Sequence, residues 1–500
     1  MMGNFILAPV FIHLLIAIFQ LIAWRKTVTQ RILSVGGALG ALVAAIILFR
    51  RVYLNGTFTV NASNWEAPFS IVFVADLLGV TMVLLTSIAA FAVSMFSATG
   101  LSRQRMLYGY FPIFHFLVMG LNGAFLTGDI FNLYVWFEVI IISSFVLMTL
   151  GGRKNQLEGA LKYMSMNILA SMFFLTGIGI LYGMTGSLNM ADLAIKMHDV
   201  QNRSLVGITS VFFILGFGIK SAVFPLYFWL PSSYHTPPSA VAATFGGLLT
   251  KVGIYAILRV NSLIFIPDDF TRTLLMVIAV LTILTGTFGA LNKINIRRLF
   301  SYLIVCHIGF MVGGIAMFSK LALMGTLFYL IHDIMVKTNM FLISGVIMQL
   351  RGVVTMEKLG GLYKEYPKIS LLIAIVLLSL VGIPPLSGFW PKVYLFREAF
   401  NEHQYFFVGA LIIGSLATLY VIARLWAEVF WKEVPADVVI DNKFEPMPLS
   451  RKFLLIAPVA ILGIVSVYIG LNAEVIIQVA DRIATELLDT SSYINAVFKN

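Results

Sequence analysis

The chain has 500 residues, of which 59% are hydrophobic and 11% are charged, and its formal net charge is +11. A soluble protein of this length would carry about 25% charged residues, so the composition excludes a soluble enzyme, a nucleic-acid-binding protein and a disordered chain. One membrane-spanning helix needs about 20 apolar residues. The hydrophobic content therefore suffices for about fourteen spans and predicts an all-α polytopic membrane protein.

Apolar runs separated by charged or Gly/Pro-rich breaks predict fourteen transmembrane helices. After residue 472 the tail alternates apolar and charged residues at helical spacing, which predicts an amphipathic helix on the membrane surface. In chain order, the fourteen helices are expected to begin near residues 5, 32, 71, 109, 130, 158, 205, 239, 273, 299, 322, 370, 405 and 453.

The predicted helices also contain an internal repeat. Helices seven and twelve share a Pro-Leu-x4-Pro pattern, and the two copies lie 160 residues apart. Five helices separate them, and this odd offset reverses the orientation in the membrane, as in the inverted repeats of secondary transporters. Chance similarity between apolar segments is the alternative. The resulting division is 1–108 with three helices, 109–262 with helices four to eight, 263–432 with helices nine to thirteen, and 433–500 with the last helix and the tail.

Prolines within helices seven and twelve predict that both are broken in the middle of the membrane. Proline removes a helical hydrogen bond and clashes with the preceding turn, and freed backbone groups at membrane depth must be satisfied by protein or water. Matched breaks indicate an ion path, although a packing kink is the usual reading of a single proline. The prolines concerned are Pro225, Pro231, Pro384 and Pro385.

Basic residues in the connections predict the orientation. With fourteen helices, 19 Lys and Arg residues fall in connections after odd-numbered helices and 8, Arg259 among them, in connections after even-numbered ones. Because cytoplasmic loops are enriched in Lys and Arg, the odd connections should be cytoplasmic. Both termini are then expected outside, and the +11 charge needs no nucleic-acid partner.

A few ionisable side chains lie inside the predicted spans, where they are costly and are functional candidates. Lysine deprived of water releases its proton more readily, a nearby carboxylate opposes this, and histidine titrates near neutral pH. The series therefore predicts a proton relay. Its members are Glu138, Lys220, Lys251, His307, His332, Lys337 and Lys392, with Asp333 beside them.

Structural readings of the same residues stay open. Glu138 and Lys220 could form a static buried pair, and Asp333 could neutralise Lys337 four residues later on one helix face. Lys392 could snorkel to an interface, and either histidine of the series could be a satisfied core residue. Asp76, His13 and His115 are interpreted as structural.

The sequence contains no motif for driving transport with ATP or with a redox metal centre. There is no G-x-x-x-x-G-K-[ST] loop for ATP, and a single cysteine, Cys306, cannot build a thiolate metal or iron–sulfur site. No cofactor or resident metal is therefore predicted. Transport should be driven by an ion gradient or by partner subunits.

Several motifs resemble the proton-translocating antiporter family shared by respiratory complex I and the Mrp multisubunit cation/proton antiporters. The resemblance covers residues 109 to 430. Glu138, within Trp-Phe-Glu, matches the family's helix-five glutamate. The segment Gly-Ile-Lys-Ser-Ala-Val-Phe-Pro at 218–225 resembles its helix-seven signature, and Gly-Ile-Pro-Pro-Leu-Ser-Gly-Phe at 382–389 resembles its helix-twelve break. By the same resemblance Lys251, Lys337 and Lys392 occupy further lysine positions.

Within the family the chain is most similar to the D-type components of the Mrp antiporters, through the segments at 127–135, 234–240 and 336–341. This similarity implies fourteen helices, inverted five-helix repeats and termini outside a bacterial plasma membrane. It also implies a hetero-oligomer with other Mrp subunits that exchanges Na⁺, or another monovalent cation, for H⁺. Many relatives carry histidine four residues before the helix-eleven lysine, where this chain has Asp333, with His332 one position earlier.

The leading interpretation is thus a secondary active transporter subunit that conducts protons, and not an enzyme. A proton-pumping subunit of complex I or of a membrane-bound hydrogenase is the first alternative. A non-conducting scaffold for partner subunits is the second. The cation, its stoichiometry and its path stay open.

Overall fold

The computed structural model describes residues 3–63, 65–436 and 438–498, and the chain is almost entirely helical within these ranges. In chain order the helices are α1 (Ala8–Ile22), α2 (Thr27–Asn55), α3 (Leu77–Gly100), α4 (Arg103–Leu107), α5 (Tyr110–Leu126), α6 (Ile130–Thr149), α7 (Lys154–Thr185), α8 (Met190–Lys196), α9 (Arg203–Ser221), α10 (Trp229–Ser233), α11 (Ser239–Thr244), α12 (Thr250–Leu263), α13 (Asp269–Leu291), α14 (Ile296–Met317), α15 (Lys320–Arg351), α16 (Leu362–Glu365), α17 (Pro367–Val381), α18 (Phe389–Asn401), α19 (Tyr405–Trp426), α20 (Leu449–Leu471), α21 (Ala473–Leu488) and α22 (Ser491–Phe498).

Shorter elements complete the described chain. Turns of 3₁₀-helix occupy Gly3–Leu7 and Met356–Lys358. A π-helical turn, Phe245–Leu249, joins α11 to α12, and another, Ala427–Trp431, extends α19. Strands β1 (Phe58–Asn61) and β2 (Val72–Ala75) pair antiparallel, with the first residue of β1 opposite the last of β2.

The helices confirm an all-α polytopic membrane protein. Within the described residues, twelve helical segments are long and apolar enough to cross a membrane. The helices α5 and α17 are also apolar but have only 17 and 15 residues. Together these make fourteen candidates near the fourteen predicted starts, yet the number of spans stays a prediction because the last two are short.

The largest shift of a helix start is at α3, which is predicted from residue 71 and begins at Leu77. The strand β2 occupies the intervening residues, and the hydropathy pattern gives no sign of it. Asp76 then caps α3, since its side chain accepts a hydrogen bond from Gly79 N at 2.9 Å. Capping carboxylates satisfy the free N–H groups of a first turn, so the acid fixes where this helix starts.

The two broken helices have matching geometry. The residues that follow the last residue of α9 and of α17 are Ala222 and Gly382, both in the left-handed conformation and 160 residues apart. Helix resumes at Trp229 in one case and at Phe389 in the other, again 160 residues apart. These correspondences favour an internal repeat. Its inversion across the membrane and the four segment boundaries stay predictions.

The prediction that Pro231 breaks a helix is wrong. Pro225 lies in the interruption after α9, and Pro384 and Pro385 lie in the interruption after α17, but Pro231 is the third residue of α10. The first four N–H groups of a helix have no intrahelical acceptor. A proline there costs no hydrogen bond, and α10 accommodates it without a break.

The long helix α15 forms the centre of the protein. Nearly every residue from Ala322 to Ile347 is buried, and α15 contacts α3, α11, α14, α17, α18, α20 and α21. Polar side chains carried by its middle turns are therefore enclosed by protein on all sides.

The predicted placement of the tail on the membrane surface is not what the structure has. The apolar face of α21 packs on α15 and α12, and Ile483 and Ala484 are fully buried. An amphipathic sequence pattern is the same whether its apolar face meets lipid or protein, so the pattern could not distinguish them.

Candidate functional site

A buried carboxylate, Asp333, is the meeting point of three helices. Its Oδ2 lies 2.7 Å from Lys251 Nζ of α12, and its Oδ1 lies 3.3 Å from His307 Nδ1 of α14. On its own helix, Lys337 Nζ is 3.9 Å away. All four side chains have zero exposure to solvent. The nearest ammonium to Asp333 thus belongs to another helix, which weakens the reading of Asp333 and Lys337 as a self-neutralising pair.

Close helix packing brings Lys251 to this carboxylate. A side chain at Gly247 would overlap Thr338 of α15, so only glycine allows the two helices this approach. The π-helical turn that contains Gly247 also leaves a carbonyl for the lysine, because Lys251 Nζ donates to Gly246 O at 2.9 Å. π-Turns are frequent at functional sites.

Two neighbours of Asp333 each keep one buried polar atom without a hydrogen bond in the protein. In the described part of the chain, Lys337 Nζ and His307 Nε2 have no protein hydrogen-bond partner although both atoms are buried. Buried polar atoms normally find a partner. Lys337 at Nζ and His307 at Nε2 can therefore gain or lose a proton without breaking a hydrogen bond within the protein.

On the other side of α15, His332 is attached to the second broken helix. His332 Nδ1 lies 2.7 Å from Ser387 Oγ, which sits in the interruption between α17 and α18. Ser387 Oγ lies 2.7 Å from Ser379 Oγ in the last full turn of α17. Although adjacent in sequence, His332 and Asp333 therefore have different partners.

The broken helix also positions Lys392. Its Nζ donates to Val381 O at 2.7 Å, a carbonyl at the end of α17 where the helix is interrupted. The same ammonium lies 5.8 Å from the ring centre of Phe310, on which His307 stacks at 5.6 Å. Only 6% of Lys392 is exposed, so the lysine does not snorkel to an interface.

The remaining two predicted residues, Glu138 and Lys220, lie at the α6, α7 and α9 side. Glu138 is partly buried, and Ser171 Oγ donates to its Oε1 at 2.5 Å. Lys220 Nζ lies 4.8 Å from the ring centre of Phe137. Among the described ion pairs none joins Glu138 to Lys220 within 4.0 Å, so this pair is not a closed static salt bridge.

A small cavity connects this side to the π-helical turn. Its volume is about 20 Å³, and Lys220, Trp229 and Leu249 are among its lining residues. A single water needs about this much space. The cavity therefore lies between Lys220 and the segment that carries Lys251.

Sequence reasoning missed several buried polar residues on the helices that carry these charges. Tyr329 packs edge-on against both His307 and His332, with ring centres 5.5 and 5.7 Å away. Glu398 of α18 is 8% exposed and accepts from Ser319 and from Asn401. Hydroxyls within apolar runs were the available signal for Ser171, Ser379 and Ser387, but such residues commonly bond their own helix.

The prediction that Arg259 lies in a connection between helices is wrong. It lies in α12, is 3% exposed, and its Nη2 is 2.7 Å from Asp76 Oδ2. A charge near the end of an apolar run looks the same in sequence whether it faces water or a distant acid. The pair supports the structural interpretation of Asp76.

Comparison with known proteins identifies the family of the chain. Residues 127–418 match the family "NADH:quinone oxidoreductase/Mrp antiporter, TM". The D subunits of the Na(+)/H(+) antiporters of Alkalihalophilus pseudofirmus and Bacillus subtilis are 39% and 38% identical to the chain, over 100% of each sequence. A chain of the Mrp complex from Dietzia sp. DQ12-45-1b superposes with a TM-score of 0.88 at 27% identity, covering 99% of this chain and 98% of that one. The chain therefore belongs to the NADH:quinone oxidoreductase/Mrp antiporter transmembrane family, within the group of its antiporter D subunits.

Proposed function

We propose that the chain is the proton-conducting subunit of a multisubunit Na⁺/H⁺ antiporter in a bacterial plasma membrane. The names of the full-length relatives support this function and Mrp-type partner subunits. Both termini would face outside. The proposed proton row consists of Glu138, Lys220, Lys251, Lys337 and Lys392, with Asp333, His307 and His332 joining its second half.

The observation that carries this proposal is the environment of Asp333. A fully buried carboxylate shared by Lys251, Lys337 and His307 is costly unless its partners compensate it. Two ammonium groups on different helices compete for it, at 2.7 and 3.9 Å. Shifting Asp333 from one lysine to the other would transfer its stabilisation between them, and the lysine it leaves would release a proton.

Repulsion among the lysines couples the protonation of one lysine to that of the next. The proposed row holds four lysines and two carboxylates, Glu138 and Asp333, within a medium of low dielectric constant. A proton that arrives on one lysine therefore favours release from the next. The carbonyl of Val381, at the helix break, would hold the Lys392 ammonium while it carries the proton.

The exchanged Na⁺ is assigned to another part of the complex. Hard cations prefer several oxygen ligands, whereas the buried row presents mainly ammonium and imidazole groups. We infer that this chain supplies the proton path and a partner subunit supplies the cation path.

The decisive experiment is antiport by the reconstituted complex carrying Asp333→Asn, with Na⁺, K⁺ and Li⁺ each tested as the exchanged cation. Loss of the carboxylate should reduce proton flux at least tenfold, since about 1.4 kcal/mol of barrier already gives that factor. Glu158→Gln is the matched control, because Glu158 pairs with Lys162 at 2.6 Å on an exposed surface. Its antiport rate should equal that of the wild type.

A second variant guards against misfolding of Asp333→Asn. Lys220→Gln lies on the first half of the row and should also abolish antiport while the complex still assembles on size-exclusion chromatography. Wild-type flux in an assembled Lys220→Gln complex would refute the row. Flux that requires an electron donor would instead favour a subunit of a redox-driven pump.

A further inference from the structure

A second cavity, whose described lining includes none of the residues of the proposed proton row, is lined by arginines. Its volume is about 410 Å³, and it lies where the ends of α3, α14 and α15 meet α4 and the loops before α7, α11 and α20. These loops follow odd-numbered predicted helices and so belong to the side predicted to be cytoplasmic. The cationic side chains that line it are Arg105, Arg153, Arg297 and Lys443.

Three of these charges have no compensating carboxylate. No Asp or Glu is among the described residues that line the cavity, and no described ion pair within 4.0 Å includes Arg105, Arg153 or Arg297. Lys443 differs, because Asp441 Oδ2 lies 2.8 Å from its Nζ. The cavity therefore faces three unpaired guanidinium groups.

The guanidinium of Arg297 is held in place by neutral acceptors. It donates from Nη2 to Ser239 Oγ at 2.5 Å, from Nη1 to Pro237 O at 3.2 Å and from Nε to Ser344 Oγ at 3.1 Å. These bonds fix the orientation of the fork but leave its positive charge uncompensated. Fixing a charge in this way is characteristic of a preorganised ligand site.

The surroundings add to the positive potential. Burial and, secondarily, the neighbouring Arg153 lower the pKa of Arg105, so like charges are held close together there. Pro238 and Ser239 also line the cavity, and Ser239 begins a helical segment of 25 residues. The N-terminus of a helix carries a partial positive charge.

Basic residues are common in cytoplasmic loops of membrane proteins, but that tendency does not require three of them to converge on one cavity. Arginine forks match the oxygen atoms of phosphate through paired, charge-assisted hydrogen bonds. A volume of 410 Å³ lies within the range of small-molecule sites. We propose that Arg105, Arg153 and Arg297 form a binding site for a phosphate-bearing anion, either free in solution or as the headgroup of an anionic phospholipid.

The test is equilibrium binding of radiolabelled inorganic phosphate to the full-length chain in phosphatidylcholine nanodiscs at constant ionic strength. We expect saturable binding, weakened at least tenfold in the double variant Arg105→Gln, Arg153→Gln. Arg297→Gln should have the same effect, but its loss of three hydrogen bonds makes the double variant the safer probe. Arg25→Gln, an exposed arginine elsewhere, is the control and should bind like the wild type.

A second arm distinguishes the source of the phosphate group. If the natural ligand is a lipid, nanodiscs that contain phosphatidylglycerol should raise the thermal midpoint of the wild type, and of Arg25→Gln, but not of the double variant. Saturable phosphate binding, or a rise in thermal midpoint with phosphatidylglycerol, supports the site if the double variant loses it. Unsaturable phosphate binding together with equal lipid effects on the wild type and the double variant would overturn it.

Discussion

At the scale of single residues, hydroxyl groups determine how His332 is oriented. Ser387 and Ser379 form a hydrogen-bonded chain to its Nδ1, with both steps at 2.7 Å. A hydrogen bond to one ring nitrogen of a histidine fixes the orientation of the ring and decides whether the other nitrogen carries a proton. The second broken helix thus acts on the imidazole through Ser387, which we regard as a positioning residue.

Ser387→Ala should reduce antiport by the reconstituted complex about tenfold, because the imidazole loses its fixed orientation. The pH dependence of the remaining flux should also change, which a merely structural role of the hydroxyl would not produce. Ser415→Ala removes a buried hydroxyl without a hydrogen-bond partner among the described residues and should leave rate and pH profile unaltered. Identical pH profiles for Ser387→Ala and the wild type would contradict the positioning role.

At the scale of elements, two aspartates cap helices in opposite electrostatic settings. Asp129 caps α6 by accepting from Asn132 N at 2.7 Å, and burial raises its pKa to about 6 despite this bond. Asp268 caps α13 from a more exposed position, where bonds from the Thr271 hydroxyl and N–H lower its pKa. The ionised form is thus disfavoured in one folded cap and favoured in the other.

The pH dependence of stability follows from these directions. The unfolded carboxyl titrates near 3.8, so Asp129 binds its proton more tightly when folded and lowers the stability as pH rises from about 4 to about 6. Asn also caps helices well, and Asp129→Asn should therefore gain about 3 kcal/mol at pH 8 and little near pH 4. Thermal unfolding of the purified chain at both pH values measures the difference.

Asp268→Asn provides the opposite sign. Its folded pKa lies below the unfolded value, so the wild-type carboxylate stabilises the fold above pH 4 and loses that contribution as the pH falls. The variant should be less stable than the wild type at pH 8 and equal to it in acid. If both variants changed the stability at pH 8 in the same direction, the opposite electrostatic environments assigned to the two aspartates would be wrong.

The helix α21 packs against the rest of the protein, so substitutions on its buried face should lower the free energy of unfolding. Besides its apolar face, Lys320 pairs with Asp481 at 2.9 Å, and Arg482 donates to Tyr53 O. Ile483 is 1% exposed, so Ile483→Ala should lower the free energy of unfolding by about 2–5 kcal/mol. Val475→Ala, at a position 48% exposed, should stay within about 0.5 kcal/mol. Equal effects at both positions would place the tail on lipid after all.

At the scale of the whole molecule, sequence patterns predicted the helices and the buried charges but not their pairing. Ionisable residues inside apolar runs are conspicuous in the sequence. Every predicted residue in the second half of the proton row, from Lys251 to Lys392, is buried near Asp333 or its neighbours. Local spacing favoured Lys337 as the partner of Asp333. Packing across helices, allowed by Gly247, selects Lys251 instead. The partner of Arg259 lies 183 residues away, a distance that no local pattern reports.

The orientation of the whole chain follows from the number of spans and can be measured with thiols. Cys306 is the sole cysteine of the sequence and is fully buried, so Cys306→Ser gives a cysteine-free background. In that background Ser492→Cys, on the exposed tail, should react with a membrane-impermeant maleimide in intact cells. Asn155→Cys, exposed at the start of α7 after five predicted spans, should react only after permeabilisation. Nine candidate spans of the described chain separate the two positions, and α17 is the only short one among them. Labelling of both positions in intact cells would therefore mean that α17 does not cross the membrane, and would reverse the predicted orientation of the helices from α7 to α15.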